Sequence, residues 1–134
     1  MKITGSWKGK GIEIDHVAYD VNSYSIKLFL NMNITKISND VYRIVSTYTY
    51  AENGSIYNLP YYAGNLNWKE DFLIYKNGNK FITEDGQGEG VNYFKFKNNK
   101  LNYIYNINGT QNNYNPNYSE NTLSLVGKFK LKKC

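Results

Sequence analysis

Apolar residues recur at every second position through most of this chain, and no segment carries a convincing helical period. Period two is the mark of strands with one buried face. Near the C-terminus Leu123, Leu125, Gly127, Phe129 and Leu131 share one face; Ser124, Lys128, Lys130 and Lys132 share the other, with Val126 out of step. Leu101, Tyr103, Tyr105 and Ile107 oppose Asn102, Ile104, Asn106 and Asn108 in the same way. Phe94 and Phe96 oppose Lys95 and Lys97, and Ile26, Leu28, Leu30, Met32 and Ile34 form one face of an earlier strand. One segment stays ambiguous: Tyr42, Ile44, Ser46, Tyr48 and Tyr50 oppose Val41, Arg43, Val45, Thr47 and Thr49, and either set suits a core.

Turn residues divide the chain into about eight strands. The sequence predicts strands over Gly5–Asp15, Ser25–Ile37, Val41–Ala51, part of Tyr57–Trp68, Phe72–Lys76, Gly90–Lys97, Lys100–Ile107 and Leu123–Lys132. Phe81–Thr83 extends the fifth or the sixth. Turns are expected at Ser38-Asn39-Asp40, Asn53-Gly54, Asn77-Gly78 and Asn98-Asn99, because Asn and Gly tolerate positive φ. Gly109–Asn121, with Pro116, is a polar loop. The one place for a helix is Val17–Tyr24, too short for a helical hairpin. Short connections between strands imply an all-β, antiparallel up-and-down meander. Closing it into a barrel pairs the first strand with the last and protects both edges.

The opening Gly5-Ser6-Trp7-Lys8-Gly9-Lys10-Gly11 fits that plan. A Trp among glycines on a first strand plugs one end of a small barrel, while the glycines let the strand curve. At Gly5-Ser6-Trp7, with Lys8-Gly9 after it, the chain resembles the lipocalin-like (calycin) barrels, which begin with Gly-x-Trp on the first strand. The strand start Gly88-Glu89-Gly90 and the run Leu123–Leu131 fit the same plan. The resemblance implies one central cavity, open at the end away from Trp7. Two traits of lipocalins are not legible here: a helix before the last strand, since residues 109–121 read as coil, and a basic residue closing onto the Trp. Fatty-acid-binding proteins need two helices after the first strand, for which there is no room. Avidin-like barrels lack helices, but their polar ligand-binding set is not recognisable.

With 134 residues and 15.6 kDa, a single domain spanning 1–134 is expected, large enough for an ordinary core. Cys134 is the sole cysteine, so no intramolecular disulfide forms. The N-terminal MKITGSWKGK has no apolar run behind its lysines, and no apolar stretch approaches membrane-spanning length, which points to the cytoplasm. The net charge is +5, carried by fifteen Lys and one Arg. Scarcity of Arg argues against sequence-specific nucleic-acid readout. The fourteen Tyr decide nothing alone, since Lys, Asn, Tyr and Ile are jointly abundant, as codon bias would make them.

Most catalytic patterns fail on inventory. His16 and Cys134 are the only residues of their types, so neither a zinc cluster nor a Ser-His-Asp triad is supported, and His16 is expected at a strand end on the surface. Gly86-Gln87-Gly88-Glu89-Gly90 precedes a strand rather than a helix, and Glu89 would repel a phosphate, so a bulged turn is expected there. Glu84, Asp85 and Glu89 lack calcium-loop spacing. No metal or cofactor is expected.

Glu13 is the candidate with chemistry. Alternation from Trp7 through Gly9 and Gly11 carries it inward, with Asp15 near the rim. A carboxylate in a Tyr-lined interior would have its pKa raised by desolvation, and would serve as a general acid or base, a ligand acceptor, or a partner of Arg43. A bulge near Gly11 would reverse this, placing Ile12 and Ile14 inside and Glu13 in water, and those are the better core residues. The expected ligand-lining residues are Trp7, Glu13, Phe94, Phe96, Tyr103, Tyr105, Leu125 and Phe129, with room beside Trp7 left by the glycines. They suit a small hydrophobic or aromatic ligand. The alternatives are a calycin-type enzyme moving protons with Glu13 and a Tyr, and a surface module in which Tyr, Trp68 and Asn residues contact a glycan or protein. Pairing of the first and last strands sets Lys8 and Lys10 beside Lys128, Lys130 and Lys132. That basic stripe is either a weak contact for anionic surfaces or a solvated face.

Overall fold

The expected meander forms. A computed structural model describes residues 2–17, 23–52, 54–56, 59–61, 64, 68–83, 90–108 and 122–134. Ten strands follow in chain order: β1 (Gly5–Val17), β2 (Ser23–Ser38), β3 (Val41–Tyr50), β4 (Gly54–Ile56), β5 (Leu59–Tyr61), β6 (Trp68–Asn77), β7 (Lys80–Thr83), β8 (Gly90–Lys97), β9 (Lys100–Asn108) and β10 (Thr122–Lys133). Eight of them make one antiparallel sheet in the order β7-β6-β3-β2-β1-β10-β9-β8. The first and last long strands pair as expected, from Trp7 opposite Lys133 to Val17 opposite Thr122. Among the described residues there is no helix, and no helix long and apolar enough to cross a membrane.

The sheet curls into a nearly closed barrel. Its two edge strands, β7 and β8, are not paired by backbone hydrogen bonds among the described residues. Aromatic packing closes that seam instead: the rings of Phe81 and Phe96 meet edge to face at 5.3 Å, and those of Phe72 and Phe94 lie 6.4 Å apart. β4 and β5 differ from expectation. They form a separate two-stranded hairpin, so the strand foreseen in Tyr57–Trp68 is not a barrel stave, and Gly54 lies within β4 rather than at a turn. Phe81–Thr83, foreseen as an extension, belongs to its own strand. The Gly86–Glu89 stretch, Glu84, Asp85 and the 109–121 loop lie outside the described residues.

Tight turns and longer connections segregate to opposite ends. Residues 39–40, 78–79 and 98–99 turn the chain at the Trp7 end, using positive φ at Asp40 (61°), Gly78 (63°), Asn98 (51°) and Asn99 (60°). Asn98-Asn99 thus has both central residues left-handed, the type I′ geometry that suits twisted strands. The strand ends bordering 18–22, 51–67, 84–89 and 109–121 all lie at the far end.

β1 settles the register question. Its pairing with β2 and with β10 runs unbroken from Trp7 to His16, without a bulge at Gly11. Trp7 and Glu13 therefore share the inner face: Trp7 is fully buried and Glu13 is 5% exposed, while Ile12 is 41% exposed. In β3 the set Ile44, Ser46 and Tyr48 faces inward, which turns Arg43 outward. Arg43 grips Asp71 on the surface, with Nε donating to Oδ1 at 2.8 Å, and so is not a partner of Glu13. Elsewhere the core follows the alternation: Ile26, Leu28, Leu30, Met32, Ile34, Leu101, Tyr103, Tyr105, Phe129 and Leu131 are buried.

Candidate functional site

One row of residues crosses four strands inside the barrel. Glu13 of β1 stands opposite Gly127 of β10, Gly127 opposite Tyr105 of β9, and Tyr105 opposite Asn92 of β8. Gly127 has no side chain, so the Tyr105 ring lies across it; a Cβ there would collide with the ring and its hydroxyl. The ring bridges the width of β10, and its hydroxyl donates to Glu13 Oε1 at 2.5 Å. In the adjoining row Phe129, Tyr103 and Phe94 face the same interior. Asn92 Nδ2 donates to the Tyr103 hydroxyl at 2.8 Å, and Tyr103 stacks on Phe94 at 4.9 Å.

The opposite wall comes from β3 and β6. Tyr48 is fully buried and meets Tyr105 and Phe129 edge to face, at 6.5 and 5.7 Å between ring centres. Its other face is covered by Trp68, its neighbour across the strand pair, stacked at 4.8 Å and itself 39% exposed. Half-buried Glu70 follows two residues after Trp68, paired with buried Ser46. The interior at this level therefore holds two carboxylates, three tyrosine hydroxyls, an amide and a serine within an aromatic cage.

Burial dominates the electrostatics. It pushes the hydroxyls of Tyr48, Tyr103 and Tyr105 well above the ordinary tyrosine value. The Glu13 carboxylate adds to this at Tyr105, and Tyr103 and Glu70 add to it at Tyr48. All three stay protonated and available as donors. Burial also raises the Glu70 carboxyl, against the opposing effect of the Tyr48 hydroxyl. Glu70 acts on Tyr48 at close range, yet neither the Tyr48 hydroxyl nor Ser46 Oγ makes a hydrogen bond of regular geometry among the described residues. A buried polar atom in that state typically costs about 1–3 kcal/mol. Among the described residues no three His, Cys, Asp or Glu side chains are grouped to hold a metal ion.

The expected lining residues separate into two groups. Glu13, Phe94, Tyr103, Tyr105 and Phe129 come together around this cluster. Trp7 and Phe96 do not: they pack edge to face at 5.3 Å at the other end. Trp7 Nε1 donates to the Ile3 carbonyl at 2.8 Å, and Lys133 Nζ sits 5.7 Å from the ring centre. A basic residue does close onto the Trp, from a position alternation does not flag. The room expected beside Trp7 is taken up: a Cβ at Gly9 would strike Leu131 and the Lys130 carbonyl, and one at Gly11 would strike Phe129. Leu125 pairs through its backbone with Asp15 and Ile107, and its side chain, like those of Asp15 and His16, lies outside the described part.

Tyr48, Glu70, Ser46 and Asn92 were not foreseen. Glu70 lies just ahead of the strand expected at Phe72–Lys76; extending that strand back to Trp68 puts Glu70 in phase with inward Phe72 and Ile74. Comparison with protein-family models gives no match, and no curated protein matches the chain.

Proposed function

We propose that this chain is a lipocalin-like binding protein of the cytoplasm. Its barrel takes a small molecule with an aromatic or apolar body and a hydrogen-bond-donating head, either an amine or a neutral donor. The observation that carries this reading is the Glu13–Tyr105 pair, set with Glu70 and Tyr48 in an aromatic interior. Burying carboxylates is costly, and apolar residues of like volume would make a more stable barrel. Ligand sites spend stability in this way, joining apolar walls to a few placed polar groups. The head would face the two carboxylates and the hydroxyls of Tyr48 and Ser46, and the body would lie against Phe94, Tyr103 and Phe129. Entry would be from the end away from Trp7, where the longer connections leave the barrel. The plug of Trp7 under Lys133 supports the lipocalin-like assignment, and the lone Cys134 suits a reducing compartment.

Titrating the protein with an arylalkylamine and with its hydrocarbon analogue tests this. The amine should bind at about one molecule per barrel. Glu13→Gln and Glu70→Gln should each weaken it by roughly tenfold or more, the worth of one charged hydrogen bond, and change the hydrocarbon little. Equal effects on both compounds, or binding of neither, would remove the reading.

A second reading rests on the buried Glu13 carboxylate with the Tyr105 hydroxyl donating to it. The carboxylate could take a proton from a bound compound while Tyr105 acts as hydrogen-bond donor, and the compound could be turned over there. In that case Glu13→Gln abolishes turnover and leaves binding in place. Of the residues of the surface-module reading, Trp68 has one face stacked on Tyr48 and only its remainder exposed, while Tyr93 is exposed.

A further inference from the structure

The outer face of β1, β10, β9 and β8 is a lattice of lysines. Lys8 and Lys10, Lys128, Lys130 and Lys132, Lys100, and Lys95 and Lys97 all point outward and are exposed. The register aligns them in rows. Lys8 faces Lys132, Lys132 faces Lys100, and Lys100 faces Lys97, one lysine from each of four adjacent strands. The next row is Lys10, Lys130, Asn102 and Lys95. Strands lie about 4.8 Å apart and same-face residues about 7 Å apart along a strand, so eight positive charges share a convex band of the barrel roughly 15 Å across, measured along its curve, and roughly 15 Å long. Among the described side chains of these four strands no Asp or Glu points outward, and the surface ion pairs Lys27–Glu52 and Arg43–Asp71 lie elsewhere. A solubilising surface mixes both signs; this one segregates them, and its lysines repel one another when no anion is present.

Two further observations indicate what the face meets. Lys95, Lys97, Asn98, Lys100 and Asn102 line an open surface depression of about 290 Å³, with three of the lysines at its rim. The lattice is bordered by the exposed apolar side chains of Ile12, Phe29 and Tyr93, the last two 48% and 58% exposed. Phe29 stands opposite Lys10 on β2, and Ile12 opposite Lys128.

We propose that this face docks on an anionic membrane surface, with the lysines among lipid phosphates and carboxylates and with Ile12 and Tyr93, which lie on the lysine-bearing strands themselves, at the interfacial layer. This goes beyond ligand binding in the barrel and is independent of it. A membrane fits better than a nucleic acid for two reasons. The single Arg lies off the patch on β3, so bidentate phosphate or base contacts are missing. The exposed aromatics nearest the patch, Phe29 and Tyr93, sit on β2 and β8, roughly 19 Å apart around the curved sheet, too far to stack successive bases. A lipid surface meets many lysines at once, each adding about fivefold to partitioning. The cytoplasmic leaflet supplies that negative surface.

The test is co-sedimentation of the whole chain with vesicles of phosphatidylcholine alone or with about 30% phosphatidylserine. Binding is expected to the mixed vesicles only. It should weaken steeply as salt rises, because screening shortens to about 8 Å at physiological ionic strength. Lys128→Glu with Lys130→Glu should weaken it roughly tenfold or more. Lys69→Glu with Lys76→Glu makes the same charge change on β6, which lies across the barrel from β10, and should leave it within about twofold. Three results overturn the proposal: no binding to the mixed vesicles at low salt, equal losses in the two double variants, or capture by heparin or a single-stranded oligonucleotide with no vesicle binding. Circular dichroism of both variants, whose altered side chains are all exposed, establishes that they remain folded.

Discussion

Gly127→Ala isolates the geometry on which the interior cluster depends. Gly127 is not in the left-handed region, so its backbone accepts alanine without strain. The added methyl, however, would occupy space held by the Tyr105 ring and hydroxyl. The cost has two sources. Forcing the ring aside in a packed interior costs about 1–3 kcal/mol. Moving the hydroxyl off the Glu13 carboxylate removes a hydrogen bond to a charged group, worth about 1.5–3 kcal/mol. The sum is about 2.5–6 kcal/mol, a large share of the 5–15 kcal/mol typical of a domain. Urea unfolding followed by circular dichroism measures it, and a double-mutant cycle assigns it. With Tyr105→Phe as background, only the ring displacement remains. With Tyr105→Ala, Gly127→Ala should cost less than about 1 kcal/mol, because the methyl then has room. A loss under about 1 kcal/mol in the parent, or the same loss in the Tyr105→Ala background, would show that the ring does not depend on Gly127.

Trp7→Ala should destabilise by about 3–5 kcal/mol, the range for truncating a large buried aromatic; a change under about 1 kcal/mol in thermal or denaturant melts would contradict the plug. Stability should also depend on pH through Glu70. Burial raises its pKa in the folded protein above the ordinary 4.5, so its contribution is full below that value and lost as pH rises through the raised one. Glu70→Gln should flatten that fall in denaturant midpoints measured from acid to neutral pH, and an unchanged profile would exclude Glu70 as its source.

Much of this fold is legible without coordinates, because alternation is a local property. Whether Phe129 or Lys130 faces inward follows from the next few residues and the cost of burying a lysine, so the faces of β2, β8, β9 and β10 could be read directly. The turn at Asn98-Asn99 is equally local, a matter of which side chains tolerate positive φ. Tertiary structure had to decide wherever two neighbouring sets were both acceptable. Ile12 and Ile14 competed with Glu13 for the inside, and Tyr48 with Thr47 and Thr49. Strand pairing decided the first: unbroken ladders on both sides of β1 leave no bulge to absorb a slip. Packing across the barrel decided the second, through the contacts of Tyr48 with Tyr105 and Phe129. Lys133 over Trp7, Glu70 beside Tyr48 and the alignment of Lys97 with Lys8 join residues far apart in the chain. Such joins depend on register and on the closing of the sheet. Pattern alone could assign a side chain to a face, and only the folded barrel could assign it a neighbour.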